Sequence, residues 1–195
     1  MKKLFFLLLI LGYSAGVYAQ ITVHGGFALS SFSPSVDDFS ADSSVGFGGN
    51  LSLDYLLPSL PVSLGAEAGF NSASFDIDSE FTDTVMAIPI LLRVAYHLDL
   101  DVPQLDLYLV GKMGYAVGTW SGDAKDFLED MGADVGSVGG FAFGIDLGVA
   151  YYFTSNIGIF GEVGFDDYML SSNVSGSTVE LPFYQFFTLG VSLKI

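Results

Sequence analysis

The chain has 195 residues, with six basic side chains against 22 acidic ones, a formal charge of −16, two histidines and no cysteine. That balance excludes a nucleic-acid binder, which needs a basic footprint, and the missing cysteine excludes disulfide staples and Cys-based metal sites. At 51% hydrophobic residues the chain is too apolar for an ordinary water-facing surface, yet its longest apolar run is far short of the roughly 20 residues that span a bilayer as a helix.

That run lies at the start. Lys2 and Lys3 precede an unbroken apolar stretch from Leu4 to Leu11, and Val17-Tyr18-Ala19 ends in a small residue before Gln20. This is the layout of a secretory signal peptide, residues 1–19, cleaved after Ala19. The remainder, residues 20–195, is one domain by length. The 24 glycines and 18 phenylalanines favour strands over helices.

Period-two alternation then recurs along the chain and predicts eight strands. They run near Gln20–Ser31, Gly46–Leu57, Val62–Asn71, Val85–Leu98, Leu105–Gly118, Gly139–Phe153, Ile157–Asp166 and Leu181–Ile195. The seventh is the weakest, because Phe160 breaks its alternation. Pro58–Pro61, Asp99–Gln104 and Thr154–Asn156 are short connections. Phe32–Val45, Ser72–Thr84, Thr119–Val138 and Asp167–Glu180 are long and polar, and the two kinds strictly alternate. An even strand count with short turns at one end and long loops at the other predicts an all-β, eight-stranded antiparallel up-and-down transmembrane barrel, with both termini in the periplasm. Pro89 and Pro182 conflict with strand ladders and are expected near the outer ends of their strands.

Alternation alone does not say which face is inside. The smaller face carries Gly26, Ala28, Gly48, Ser52, Gly65, Gly69, Gly114, Ala116, Gly144, Gly148 and Gly190, with few charges. A water-facing surface carries many charges of both signs. Small residues suit a narrow eight-strand interior, so the large apolar face is predicted to meet lipid.

Ile88-Pro89-Ile90-Leu91-Leu92-Arg93 and Tyr108-Leu109-Val110-Gly111-Lys112-Met113-Gly114-Tyr115 resemble strands of the small outer-membrane β-barrel superfamily that includes OmpA-type transmembrane domains and OmpX-like proteins. The resemblance is one of pattern over the whole chain after residue 19. The C-terminal spacing of Thr188, Gly190, Leu193 and Ile195 is similar to the signal read by the barrel-insertion machinery. The last residue, often Phe in such proteins, is here Ile195, which keeps the apolar role. The resemblance implies an outer-membrane monomer, partnered by lipid and the insertion machinery. No peptidoglycan-binding domain follows Ile195, so no cell-wall tether is expected.

Candidate chemistry lies mainly inside. Counted from the short turns, Glu67, Arg93, Lys112, Asp146 and Glu162 all point inward near mid-membrane, where charge is costly unless paired or wet. They predict a network in which Arg93 and Lys112 neutralise the three acids, either stapling the barrel or gating a narrow pore. His24 and His97 also point inward, near the periplasmic mouth, and read as hydrogen-bonded lumen residues. Barrel enzymes of this group work near the outer leaflet or outer rim; no histidine is available there, so no Ser-His or Asp-His site assembles in that place.

The outer loops are acidic, with Lys125 their single base. Asp76, Asp78 and Glu80 alternate as a weak candidate for a divalent cation, and the loops as a whole suit an extracellular partner. Trp120 reads as a membrane-interface anchor. No cofactor and no catalytic residue is expected. The predicted role is envelope integrity or surface interaction, with a narrow gated pore or an amphiphile transporter as the alternative.

Overall fold

The computed structural model describes residues 20–32, 35–36, 39–40, 44–77, 81–133 and 135–195. Residues 1–19, where the signal peptide is expected, lie outside them, as do Asp78 and Glu80 of the cation candidate.

The described elements, in chain order, are β1 (Gln20–Phe32), β2 (Ser35–Val36), β3 (Phe39–Ser40), β4 (Ser44–Leu56), β5 (Val62–Ile77), β6 (Phe81–Leu98), β7 (Leu105–Gly122), α1 (Asp123–Asp130), β8 (Val138–Tyr152), β9 (Ile157–Val174) and β10 (Ser177–Lys194). Each long strand pairs antiparallel with the next, and β1 pairs with both β4 and β10. Eight long strands thus close into a barrel among the described residues. The final residue joins the seam: Ile195 N–H donates to Ile21 O at 2.8 Å, and Ile21 N–H donates back to Ile195 O at 3.2 Å. At Gly190 a Cβ would overlap the Gly25 carbonyl oxygen, so only glycine lets β1 and β10 approach this closely.

Outward positions are large and apolar. On β6, from Met86 through Ile88, Ile90, Leu92, Val94 and Tyr96 to Leu98, none is charged, and Leu92 is 65% exposed. That run covers roughly 30 Å of height in a tilted strand. Exposed Tyr96, Tyr151 and Phe153 ring the barrel at the short-turn end, while Phe47, Phe70, Tyr115, Phe141 and Phe165 ring it at the other. Such paired aromatic girdles flank the apolar band of a membrane barrel.

Four expectations need correction. First, two of the long connections, Ser72–Thr84 and Asp167–Glu180, are largely strand among the described residues. β9 and β10 continue to a two-residue turn at Ser175-Gly176, both with positive φ, as a type I′ hairpin requires; Asn173 Oδ1 caps it by accepting the Gly176 N–H at 2.9 Å. Thr119–Val138 holds the end of β7 and α1, where Lys125 bridges Glu129 at 2.9 Å. Secondly, Pro89 lies inside β6, not near its end. The β5–β6 ladder has a break there, between the pairs Ala68–Ile90 and Asn71–Ala87, consistent with an imino acid that has no N–H to give. Pro182 does sit where β1 runs out, one residue beyond the pair Phe32–Phe183. Thirdly, Phe160 is not an irregularity: its ring is buried inside the barrel, 4.7 Å from the His24 ring. Fourthly, Trp120 points into the lumen and not to a membrane interface.

Candidate functional site

The interior is filled in two tiers. The lower one, nearer the short turns, is ionic. Inward parity on β5, β6, β7, β8 and β9 brings Glu67, Arg93, Lys112, Asp146 and Glu162 to one level, all buried. Arg93 sits at the centre. Its Nη1 meets the Glu67 carboxylate, Nη2 meets Glu162 Oε1 at 2.6 Å, and Nε meets Asp54 Oδ1 at 3.3 Å. Lys112 Nζ lies 2.7 Å from Asp146, 3.0 Å from Asp166, 3.3 Å from Glu162 and 3.6 Å from Glu67.

Asp54 and Asp166 extend the set beyond the five acids and bases singled out from sequence, because parity places them inward but one step off the central level. Tyr108 O–H donates to Glu162 at 3.0 Å, and Gln185 Nε2 donates to both Asp166 and Thr188 at 3.2 Å. The glycines of the small face are the other half of this arrangement. A Cβ on Gly65, Gly144 or Gly164 would overlap the carboxylates of Asp54, Asp166 and Asp146, and one on Gly148 would overlap the Tyr108 ring. Long charged side chains fill a narrow barrel only where the neighbouring strand carries no side chain.

The upper tier is apolar and begins one step above Arg93. Leu91, Val85, Phe32, Phe75, Tyr168, Leu170, Leu181 and Phe183 form its body, with Trp120 at its edge. The Trp120 indole N–H donates to Asp83 Oδ2 at 2.7 Å, and Asp83 is fully buried. Asp83 therefore belongs to the plug and not to an acidic loop. This tier has a cause in the backbone. Phe186 is skipped in the ladders of β10 with both β1 and β9, a bulge that reverses facing along the strand. Below it Thr188, Gly190 and Ser192 face inward; above it Gln185, Phe183 and Leu181 do.

The sequence matches the outer membrane protein beta-barrel domain family over residues 5–194. The chain belongs to that family. Its fold is similar to that of Neisserial surface protein A, at 15% identity, covering 92% of this chain and 100% of that one with a TM-score of 0.58. OprG from Pseudomonas aeruginosa is similar at 14% identity, 91% and 96% coverage and a TM-score of 0.59. A major outer membrane protein from Thermus thermophilus follows at 14%, 92% and 100%, with 0.56. At such identities the likeness is one of fold. No curated protein sequence matches this chain. The uncharged outward band is thus the lipid-facing wall of an outer-membrane barrel.

The remaining predicted residues are placed as follows. Thr188 is buried inside and accepts from Asn50 at 3.3 Å, Leu193 faces outward, and Ile195 is the exposed end of the seam. Asp76 belongs to β5, opposite Thr82. Among the described residues no group of three or more His, Asp or Glu is arranged to hold a metal. Both histidines lie at the short-turn end and face inward. His24 Nε2 is 3.6 Å from Asp54, and His97 contacts Asp106 and Ser63. Sequence reasoning missed Ser63 and Asp106, although both stand at the second position of their strands, on the inward parity.

Proposed function

We propose that this protein is a closed, side-chain-filled barrel that supports the integrity of the outer membrane and meets the cell's surroundings through its acidic hairpins. On this reading the short turns and both termini face the periplasm, the chain works as a monomer, residues 1–19 are removed on export, and Thr188, Gly190, Leu193 and Ile195 address it to the insertion machinery. The acidic hairpins suit cation-bridged lipid headgroups or a basic extracellular partner. No catalysis is assigned to the two lumenal tiers or to the outer rim.

The observation that carries the reading is the stacking of two unlike plugs in one lumen. An ionic tier alone can rearrange its partners and admit ions. An apolar tier alone leaves a path for greasy solutes. One above the other, they close the barrel to both.

Planar-bilayer recording on the refolded protein tests this directly. No resolved conductance is expected, and none should appear on Lys112→Ala. A steady unitary current from the wild-type protein, or liposome swelling in small sugars, would overturn the closed reading in favour of a narrow pore. A current that appears only in Lys112→Ala would instead identify the ionic tier as a gate.

A further inference from the structure

The short-turn mouth holds an arrangement that a purely mechanical barrel does not need. His97, at the end of β6, lies between Ser63 on β5 and Asp106 on β7. Its Nδ1 is 2.8 Å from Asp106 Oδ1, and its Nε2 is 3.0 Å from Ser63 Oγ. A carboxylate can only accept from Nδ1–H, so in the neutral ring the proton sits on Nδ1 and the Nε2 lone pair is turned to the serine hydroxyl. Nucleophile, base and orienting acid are then in series at hydrogen-bond distance, the geometry by which a hydroxyl is activated irrespective of fold. The three residues come from three adjacent strands, so the sheet itself holds their spacing.

The same three residues line a cavity of about 130 Å³ that opens at the mouth. A serine buried only to satisfy its hydroxyl needs no free volume beside it. At about 30 Å³ for each water, this space admits a group of only a few heavy atoms. Lys194 lines the cavity too, with its ammonium 3.7 Å above the Tyr152 ring. It is the one lysine or arginine among the residues that line this cavity, and so the side chain there that can meet a developing oxyanion. The backbone N–H groups of this rim are committed to strand ladders, so the side chain must supply that role.

We propose that Ser63, His97 and Asp106 form a hydrolytic centre for esters of short acyl groups, entering from the short-turn side. Ser63 Oγ attacks the ester carbonyl carbon while its proton passes to His97 Nε2. The carbon–oxygen bond to the alcohol breaks, and the alcohol leaves with that proton. Water then attacks the acyl-serine, giving its proton to His97, and the carboxylic acid departs as Ser63 recovers its own. Ser63 and His97 are the catalytic residues; Asp106 is a positioning residue, and Lys194 steadies the oxyanion. This site opens at the rim, below both plugs, so it stands or falls independently of whether the lumen is closed.

The test uses the full barrel refolded in detergent, with a fluorophosphonate probe and 4-nitrophenyl acetate. The folded protein should be labelled, with the mass shift on the peptide that carries Ser63, and should turn over the acetate ester. Ser63→Ala should lose labelling. His97→Gln should lower turnover on the order of 10²–10⁴-fold, the usual worth of a general base. Asp106→Asn keeps the shape but not the tautomer, so turnover should fall while the heat-shifted gel band and circular dichroism of the folded barrel persist. A barrel that is folded by those two criteria and takes no label, or a Ser63→Ala protein that is labelled and active to the same extent, would overturn the proposal. If Ser63→Ala does not fold, labelling of the wild-type protein at another residue serves as the same refutation.

Discussion

The two tiers of the lumen sit one step apart, at Arg93 and Leu91, and use opposite chemistry. The difference follows from what surrounds each. The aromatic body of the upper tier, Phe32, Phe75, Tyr168 and Phe183, lies past the girdle at the water end of the barrel, where burying a Phe or Leu side chain removes apolar surface from water and gains roughly 25 cal/mol for each Å². At mid-membrane that gain is absent, because an apolar side chain is as well placed in lipid as in the lumen. What distinguishes inside from outside there is charge, which the lipid rejects. A slip of one residue would turn Arg93, Lys112 and every inward acid to the lipid face. The ionic tier is therefore a device for register and facing, and the apolar tier a device for stability.

Arg93→Ala should break this comparison most severely. It leaves Asp54, Glu67 and Glu162 buried around an absent cation, and removing one partner of a buried ion pair typically costs about 3–5 kcal/mol. Urea unfolding of the barrel in lipid vesicles measures it. Adding Glu67→Gln to that variant removes one of the stranded charges and should recover part of the loss; residues in one network couple by about 0.5–3 kcal/mol. If the double variant is no better than the single one, Glu67 takes no share in the penalty, and the register argument loses its electrostatic basis.

Phe183→Ala addresses the upper tier. Phe183 is fully buried against Phe32 and Tyr168, and such a truncation costs about 3 kcal/mol or somewhat more. Conductance should stay absent, because the ions below still close the lumen. A loss under about 1 kcal/mol would mean that the hairpins collapse onto the gap and that the plug is soft.

The two tiers also differ in how well they could be read from the sequence. Strand number, antiparallel order and closure were legible, because lipid on one side enforces a period of two over the membrane-facing part of each strand. The central charges were legible for the same reason: Arg93 or Glu162 on the small face of a lipid-exposed strand has only one place to go. The upper tier was not. Beyond the girdle both faces of a strand meet water or protein, the alternation loses its meaning, and Leu170, Leu181 and Phe183 look like loop residues or lipid contacts. The bulge at Phe186 adds to this, since a single extra residue inverts the parity on which every assignment rests. Ser63 and Asp106 were overlooked for another reason. They are ordinary residues at strand starts, and only the registers of the β5–β6 and β6–β7 ladders bring them beside His97.

Trp120→Phe is the smallest and sharpest probe of the boundary between the tiers and the rim. An interface anchor would tolerate Phe well, because the ring stays apolar and the polar end meets water. A lumenal Trp120 does not: the substitution deletes the indole N–H that donates to buried Asp83 at 2.7 Å. A hydrogen bond to a charged group contributes about 1.5–3 kcal/mol, and a loss of about 2 kcal/mol in the same urea experiment is expected. Tryptophan fluorescence gives a second readout on the wild-type protein, since Trp120 is its one tryptophan. Inside the plug it should be insensitive to quenchers carried on lipid chains; efficient quenching would return Trp120 to the lipid interface and detach Asp83 from the plug.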